Sequence, residues 1–422
     1  MTVTINGFVS KDGGTGTLFE DVYFIDGKRT PFGKFNGTLS TVSPTDLGIF
    51  ASRAAVEKAG VAVADIDQTI VANIGQASAD CFFLPRHIGL YSGVPRVRPA
   101  LLVQRICGSG IEVLGQAAEQ IGLGKANMVL GCGTDAMSRY PLASYTVRQG
   151  FPLGKPGFVD LLWEALDDTA AVPMGHTADN LAQNYKLSRE EVDAFAARSQ
   201  QRYYDALESG FFEEEIAPFE QSSGVFEAPT LKPRKYRLKG REGVSMDEHP
   251  RQTTAEQLAK LPPVFTKEGP TTAGSASGIV DGAAAAIIAS GDYVRAHDLR
   301  PLGKIRGFAA VGVEPDIMGI GPVPAIRSLL SQVELSLEDI DRFEINEAFA
   351  AQCLAVAKEL DLDQEKLNVR GGAIAVGHPL AATGVRLVLT CLKTLQRDDK
   401  QFGIASACIG GGQGIAMLLE RC

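Results

Sequence analysis

Residues 104–133 read QRICGSGIEVLGQAAEQIGLGKANMVLGCG. Three small residues, Gly108, Ser109 and Gly110, follow Cys107, and Ile111, Leu114, Ala118 and Ile121 then form one stripe at helical spacing. The spacing predicts a helix that opens just after Cys107, and NMVLGCG (127–133) reads as the next strand. The same alternation extends upstream. DVYFIDGKRTPF, from Asp21, reads as a buried strand ending in a turn. SPTDLGIFASRAAVEKAG (43–60) has helical spacing with Gly60 as a stop, and QTIVANIGQ (68–76) is another buried strand. Strands alternating with helices indicate a layered α/β fold.

Downstream the character changes. From 137 to 265 the chain is richer in charge, proline and irregular stretches, with one clear helix at 188–210. Ser188 and Glu191 form its capping box and Gly210 ends it. This region reads as an inserted, mostly helical loop domain. TTAGSASGIVDGAAAAIIAS (271–290) returns to small-residue, strand character, and helix–strand alternation resumes to the end. The expected organisation is a loose lead-in over 1–20, one half made of 21–136 and 266–290, the insertion at 137–265, and a second half over 291–422.

A weak echo relates the halves. Cys107 leads into a helix, a strand and GCGTDAM; GHPLAATG (377–384) leads into a helix, a strand and ACIGGGQGIAM. If the halves pack about a pseudo-dyad, Cys107 and His378 open equivalent helices and face each other.

Bulk properties narrow the function. The chain has 422 residues, enough for a large core. A net charge of −9 argues against general nucleic-acid binding. No run of 18 apolar residues predicts a membrane span, and the N-terminus lacks the pattern of a signal peptide. Seven cysteines, an odd number without CxxC spacing or accompanying histidines, fit neither a disulfide framework nor a zinc site, and point to a reducing cytosol. The one basic cluster, KPRKYRLKGR (232–241), is either a solvated loop or a patch for an anionic small molecule.

Four stretches could carry chemistry. Cys107 at a helix N-terminus would have a lowered thiol pKa and a nucleophilic thiolate, although a lone cysteine is more often packed core. His378 precedes Pro379, which favours a loop–helix junction, and the positive end of the helix would keep the imidazole neutral. Cys408 precedes Gly410, Gly411 and Gly412, whose free N–H groups suit an anion or oxyanion; the alternative is a tight turn before the last strand. Asn346 and Glu347 fall where the strand RFEI meets a helix, a frequent place for sites, with a plain N-cap as the alternative. His87, His176, His249 and His297 are expected on the surface or at caps.

CGSG, NEAFAAQ, GGAIAVGHPLAATG and CIGGGQG, in this order, resemble the signatures of the thiolase family. GKRTPFGKFNG, MGHTADNLAQNYKLSREEVDAFAARSQQR, DEHPRQTTAEQLAKLPPVF and TAGSASGIVDGAAA extend the resemblance over nearly the whole chain. It implies duplicated α/β halves in a layered αβαβα core, and acyl transfer between acyl-CoA and CoA. Two acetyl-CoA would condense to acetoacetyl-CoA, or a 3-ketoacyl-CoA would undergo thiolysis. Cys107 would take the acyl group, His378 would accept its proton, and Cys408 would be the second acid/base. The N–H groups of Cys107 and Gly410 would form one oxyanion site. His378 and a water held by Asn346 would form the other, each donor worth about 3 kcal/mol of barrier.

By position, the substrate contacts implied are Met174, Arg251, Phe265, Ala273, Ser277, Met318, Ala348 and Phe349. Residues 232–241 would receive the nucleotide phosphates. No metal and no tightly bound cofactor is implied; CoA and acyl-CoA are substrates. The expected assembly is a homodimer or homotetramer in the cytoplasm. Five positions, in three places, depart from common members. Ala381, Ala382 and Thr383 stand where Gly-Ala-Ser is frequent, and the added methyl is expected to trim the acyl pocket. Ser275 replaces a frequent Asn, and Pro173 replaces a His of some acetoacetyl-CoA enzymes. Two other readings stay open: a ketoacyl synthase-like condensing enzyme, disfavoured by Asn346 where a second histidine belongs, and a catalytically silent acyl-CoA-binding homologue.

Overall fold

The computed structural model describes residues 5–11, 13–151, 153–154, 157–166 and 172–422. Its centre is a mixed sheet. The strands that position the site are β1 (Ile5–Val9), β2 (Thr15–Phe19), β3 (Val22–Arg29), β4 (Gln68–Ala72), β5 (Ala100–Val103), β6 (Met128–Ala136), β7 (Val280–Ser290), β8 (Gly303–Gly312), β9 (Arg342–Ile345), β10 (Phe402–Ile409) and β11 (Gln413–Arg421). Their order is β9-β10-β11-β8-β3-β7-β6-β4-β5, with β1 paired to β2 and β2 to β8.

Pairing confirms the duplication. In one half β4–β6 is parallel while β6–β7 and β7–β3 are antiparallel. In the other, β9–β10 is parallel while β10–β11 and β11–β8 are antiparallel. The seam between halves is two residue pairs, Gly303 with Phe24 and Lys304 with Tyr23. Strands β6 and β7 are buried on both faces, which explains their mostly apolar and small-residue character; Asp135 and Asp281 are the buried carboxylates within them.

The helices build the other layers. Helix α1 (Pro44–Ala59) lies on the outer face of the first half; its Ser43 hydroxyl accepts from the Asp46 N–H, and Gly60, at φ 64°, ends it. Helices α2 (Ser109–Gly122) and α8 (Leu380–Arg397) pack together between the halves. Helices α5 (Pro322–Leu330) and α6 (Ala350–Glu359) cover the outer face of the second half. The result is the expected αβαβα layering. Ile111, Leu114, Val385 and Val388 fill the space between the sheet halves.

The α2–α8 crossing is backbone on backbone. A Cβ on Gly384 would lie 2.2 Å from the Ile111 nitrogen, and one on Gly110 would lie 2.5 Å from the Val385 nitrogen. Only glycine permits this approach. The two helices that follow Cys107 and His378 are thereby locked together near their N-termini.

Two expectations need correction. Residues 5–9 and 15–19 are not a loose lead-in: β1 and β2 pair antiparallel and β2 docks on β8. Its alternation is only partly apolar, and tertiary pairing with β8 supplies what the local sequence does not. The insertion is less helical than expected. Besides α4 (Arg189–Glu208), with the Ser188–Glu191 capping box as read, it holds α3 (Met174–Tyr185) and two small antiparallel pairs, 142–143 with 159–160 and 223–226 with 234–237. Helix α3 starts after Pro173 without a side-chain cap, and Ala178, Leu181 and Ala182 form its buried face.

Candidate active site

Cys107 lies in the turn Ile106–Gly108 just before α2. Ile106 has φ 40°, a left-handed conformation that a β-branched residue adopts at a cost of order 1–3 kcal/mol. That strain directly precedes the thiol and orients it into the pocket. The backbone N–H groups of Gly410 and of Cys107 itself face the sulfur.

His378 sits two residues before α8, with Pro379 as N-cap. Its N–H donates to the Gly278 carbonyl at 2.9 Å. Its Nδ1 lies 2.6 Å from the Thr383 hydroxyl, which itself donates to the Pro379 carbonyl at 3.2 Å. With that hydroxyl proton committed to Pro379, Nδ1 is the protonated ring nitrogen and Nε2 carries the lone pair. Asn346 Nδ2 then donates to Nε2 at 3.2 Å. Asn346 Oδ1 is buried without a protein partner, so it is free for a substrate group or a water.

Asn346 ends β9 and its N–H donates to Ser406 on β10, two residues before Cys408. Neighbouring parallel strands therefore deliver Asn346 and Cys408 to one end of the sheet. Cys408 packs with Met318 and Ala348, directly behind the pocket wall.

Cys107 and His378 line a cavity of about 400 Å³. Met174, Phe265, Ser277, Met318, Ala348 and Phe349 line it too, and its walls are mostly apolar. Phe265 meets Phe349 edge to face at 5.6 Å. Such a cavity suits a slender, largely apolar ligand that carries one reactive carbonyl. Arg251 and Ala273 lie on the exposed surface outside this lining. The backbone N–H of Arg251 is held by Gln200.

The electrostatics overturn one expectation. Burial pushes the Cys107 thiol up to about 11, against the lowering effect of the Gly410 and Cys107 N–H groups. Desolvation outweighs the helix end, so the resting sulfur is a thiol rather than a thiolate. Burial, and then the nearby Cys107, push the Cys408 thiol up as well. His378 is neutral as expected, lowered to about 3, but the leading cause is burial, followed by the charge of Arg386, rather than a helix dipole.

Three further readings change. The 232–241 segment is not at the pocket. It packs beside α1, where Arg234 binds Asp46 and Asp80 at 2.7 Å each and Tyr236 meets Phe50 and Phe219. Ala381 and Ala382 do not trim the cavity: both pack against Gly133 of β6, and the Ala381 N–H is held by Asp135 at 2.7 Å. His249 is only partly exposed. Its ring packs on Gly278, Nε2 is buried without a partner, and burial lowers it to about 4. Of the other histidines, His176 lines the cavity, His87 pairs with Asp80 at 2.8 Å, and His297 stacks on Tyr293.

Family models of the thiolase N-terminal domain and the thiolase C-terminal domain match residues 22–292 and 299–421. The chain belongs to the thiolase family. It is 45% identical to human mitochondrial 3-ketoacyl-CoA thiolase over 96% of this chain and 99% of that protein. It is 40% identical to an acetyl-CoA acetyltransferase of Pseudomonas aeruginosa over 95% and 100%. Among solved structures, human mitochondrial 3-ketoacyl-CoA thiolase in complex with CoA superposes with a TM-score of 0.89 at 44% identity, covering 95% of this chain and 98% of that one. The Bacillus anthracis acetyl-CoA acetyltransferase gives 0.88 at 40% identity, covering 96% and 100%.

Two residues of this thiolase's pocket escaped sequence reading. Thr383 fixes the His378 tautomer from five residues on, a spacing that no i,i+3 or i,i+4 helical pairing marks. Trp163, the chain's one tryptophan, lines the cavity and stays 61% exposed. No local motif marks it.

Proposed function

We propose that this thiolase transfers acyl groups between acyl-CoA and CoA through a thioester on Cys107. The observation that carries the reading is the shared cavity: Cys107 and His378 line it, Asn346 hydrogen-bonds the imidazole, and Cys408 stands behind the wall. The chain moves its protons as follows. Cys107 attacks the thioester carbonyl while its proton passes to His378 Nε2, where the hydrogen bond from Asn346 Nδ2 gives way to it. Charge gathers on the carbonyl oxygen, where the Cys107 and Gly410 N–H groups receive it. The departing CoA sulfur takes the Cys408 proton. The Cys408 thiolate then removes an α-proton from a second acyl-CoA, and the enolate oxygen lies toward Asn346 and His378. The carbanion attacks the Cys107 thioester, and the freed sulfur recovers its proton from His378. Every group ends as it began, and the reverse sequence is thiolysis.

Met174, Phe265, Ser277, Met318, Ala348 and Phe349 would hold the pantetheine arm, and Arg251 and Ala273 the nucleotide end outside the cavity. No metal or bound prosthetic group enters any step.

Among the described residues no helix is long and apolar enough to cross a membrane. The location we propose is the cytoplasm, on the strength of cysteines that are all unpaired; several relatives are named as mitochondrial, which makes the organelle the competing location for a fractionation experiment. We propose a homodimer or homotetramer. The sheet ends at β5, whose Leu101 is exposed, an edge that another copy could cover.

The deciding assay is CoA-dependent thiolysis of acetoacetyl-CoA and longer 3-ketoacyl-CoAs by the purified enzyme. Turnover lost on Cys107→Ala and on His378→Ala supports the reading. Wild-type protein that binds acetoacetyl-CoA without cleaving it refutes it in favour of a silent homologue.

A further inference from the structure

Glu347 touches no part of the cavity, yet its carboxylate ties together the two segments that carry Asn346 and His378. Its Oε1 accepts from Asn368 Nδ2 at 2.9 Å. Its Oε2 accepts from the Ser199 hydroxyl at 2.6 Å and from the Ile374 N–H at 3.2 Å. Ser199 Oγ also accepts the Gly372 N–H at 3.1 Å. Asn368 clamps the residue before Asn346, with its Oδ1 accepting from the Ile345 N–H and its Nδ2 donating to the Ile345 carbonyl, both at 2.9 Å. Ile374 belongs to the short helix α7 (Ala373–Val376), which leads through Gly377 into His378. A Cβ on Gly372 would lie 2.2 Å from the Glu347 carboxyl carbon, so glycine there is what admits the carboxylate. The carboxylate thus sits one residue from Asn346 and four from His378 along independent segments, with α4 as the third anchor.

We propose that Glu347 is the positioning residue that sets the spacing of Asn346 Nδ2 and His378 Nε2. This rests on the thiolase reading above. The reasoning turns on donor and acceptor counts. All three partners of Glu347 donate, so both of its oxygens must accept. Asn368 cannot flip its amide, because both of its ends are committed to Ile345. A glutamine at 347 therefore brings an N–H group against either Asn368 Nδ2 or the Ser199–Ile374 pair, and one segment must move. Displacement by about 1 Å at reacting groups lowers rates on the order of a hundredfold.

The test compares wild type, Glu347→Gln and the milder Ser199→Ala in thiolysis of acetoacetyl-CoA. Rates are referred to the fraction of Cys107 that acetyl-CoA converts to an acetyl adduct, with thermal stability measured in parallel. The expected result is a kcat at least tenfold lower for Glu347→Gln and at least threefold lower for Ser199→Ala. KM for acetoacetyl-CoA should stay within threefold, because the cavity walls are untouched. Folded Glu347→Gln with kcat per acylatable site within twofold of wild type overturns the proposal. A kcat loss matched by loss of acylatable sites overturns it too, since that is a purely structural role. If Glu347→Gln does not fold, a wild-type kcat in Ser199→Ala is the overturning result. Absence of a Cys107 adduct in the wild-type enzyme refutes the thiolase reading instead, and so separates the two failures.

Discussion

Replacing Gly384 by alanine perturbs the catalytic geometry without touching a reacting group. The added Cβ would lie 2.2 Å from the Ile111 nitrogen and 2.6 Å from the Gly110 carbonyl carbon, whereas contacts become ordinary only at 3.4 Å. The opposing atoms are backbone, so no side chain can swing away. Helices α2 and α8 must part by roughly 1 Å. Overpacking of this kind costs about 1–3 kcal/mol of stability, which a core this large tolerates. The same movement separates the Cys107 turn from the His378 loop, because the first lies within one turn of the crossing and the second within two. A shift of about 1 Å at reacting groups lowers kcat on the order of a hundredfold. The assay is steady-state thiolysis of acetoacetyl-CoA on protein whose fold is checked by circular dichroism and thermal melting. Folded Gly384→Ala with kcat within threefold of wild type would refute the claim that this glycine contact sets the distance between sulfur and imidazole.

Other outcomes follow from the site. Asn346→Ala removes the donor on His378 Nε2 and the free buried carbonyl, and should lower kcat on the order of a hundredfold while Cys107 still acylates; rapid-quench measurement of the two half-reactions checks this. With the Cys107 thiol at about 11, alkylation of the resting enzyme by iodoacetamide should accelerate about tenfold per pH unit between pH 7 and 9, and a plateau there would reveal a stable thiolate–imidazolium pair instead. Trp163 lines the cavity and is half open to water, so CoA or acyl-CoA should shift its fluorescence to shorter wavelength, and Trp163→Phe should abolish the signal. Light scattering should give a mass of two or four chains, and charge introduced at Leu101 should lower it.

Helical spacing after Cys107, the Gly60 stop, the Ser188 cap and the mostly apolar stretches of β6 and β7 all act through neighbours in sequence, so they were legible in the sequence alone. The duplicated halves were legible for the same reason: each repeats one order of residue types. The docking of β2 on β8 was not, because its partner lies nearly three hundred residues away. Residue type marked the four chemical groups, but it misjudged their charge. A helix end raises the thiolate's stability locally, while the burial that defeats it comes from every surrounding layer. The basic 232–241 stretch failed in the same way. Its most buried arginine is neutralised by Asp46 and Asp80, residues that no linear window brings near it. Glu347 and Thr383 stood inside quoted motifs, yet their partners come from α4, Asn368, Ile374 and His378, which only the fold assembles.

The most direct measurement is peptide mass spectrometry after brief mixing of the enzyme with acetyl-CoA at neutral pH. The account predicts a single acetyl group on the peptide carrying Cys107, discharged when CoA is added and absent in Cys107→Ala. Acetylation elsewhere, or none on a folded enzyme that nevertheless cleaves acetoacetyl-CoA, would contradict it.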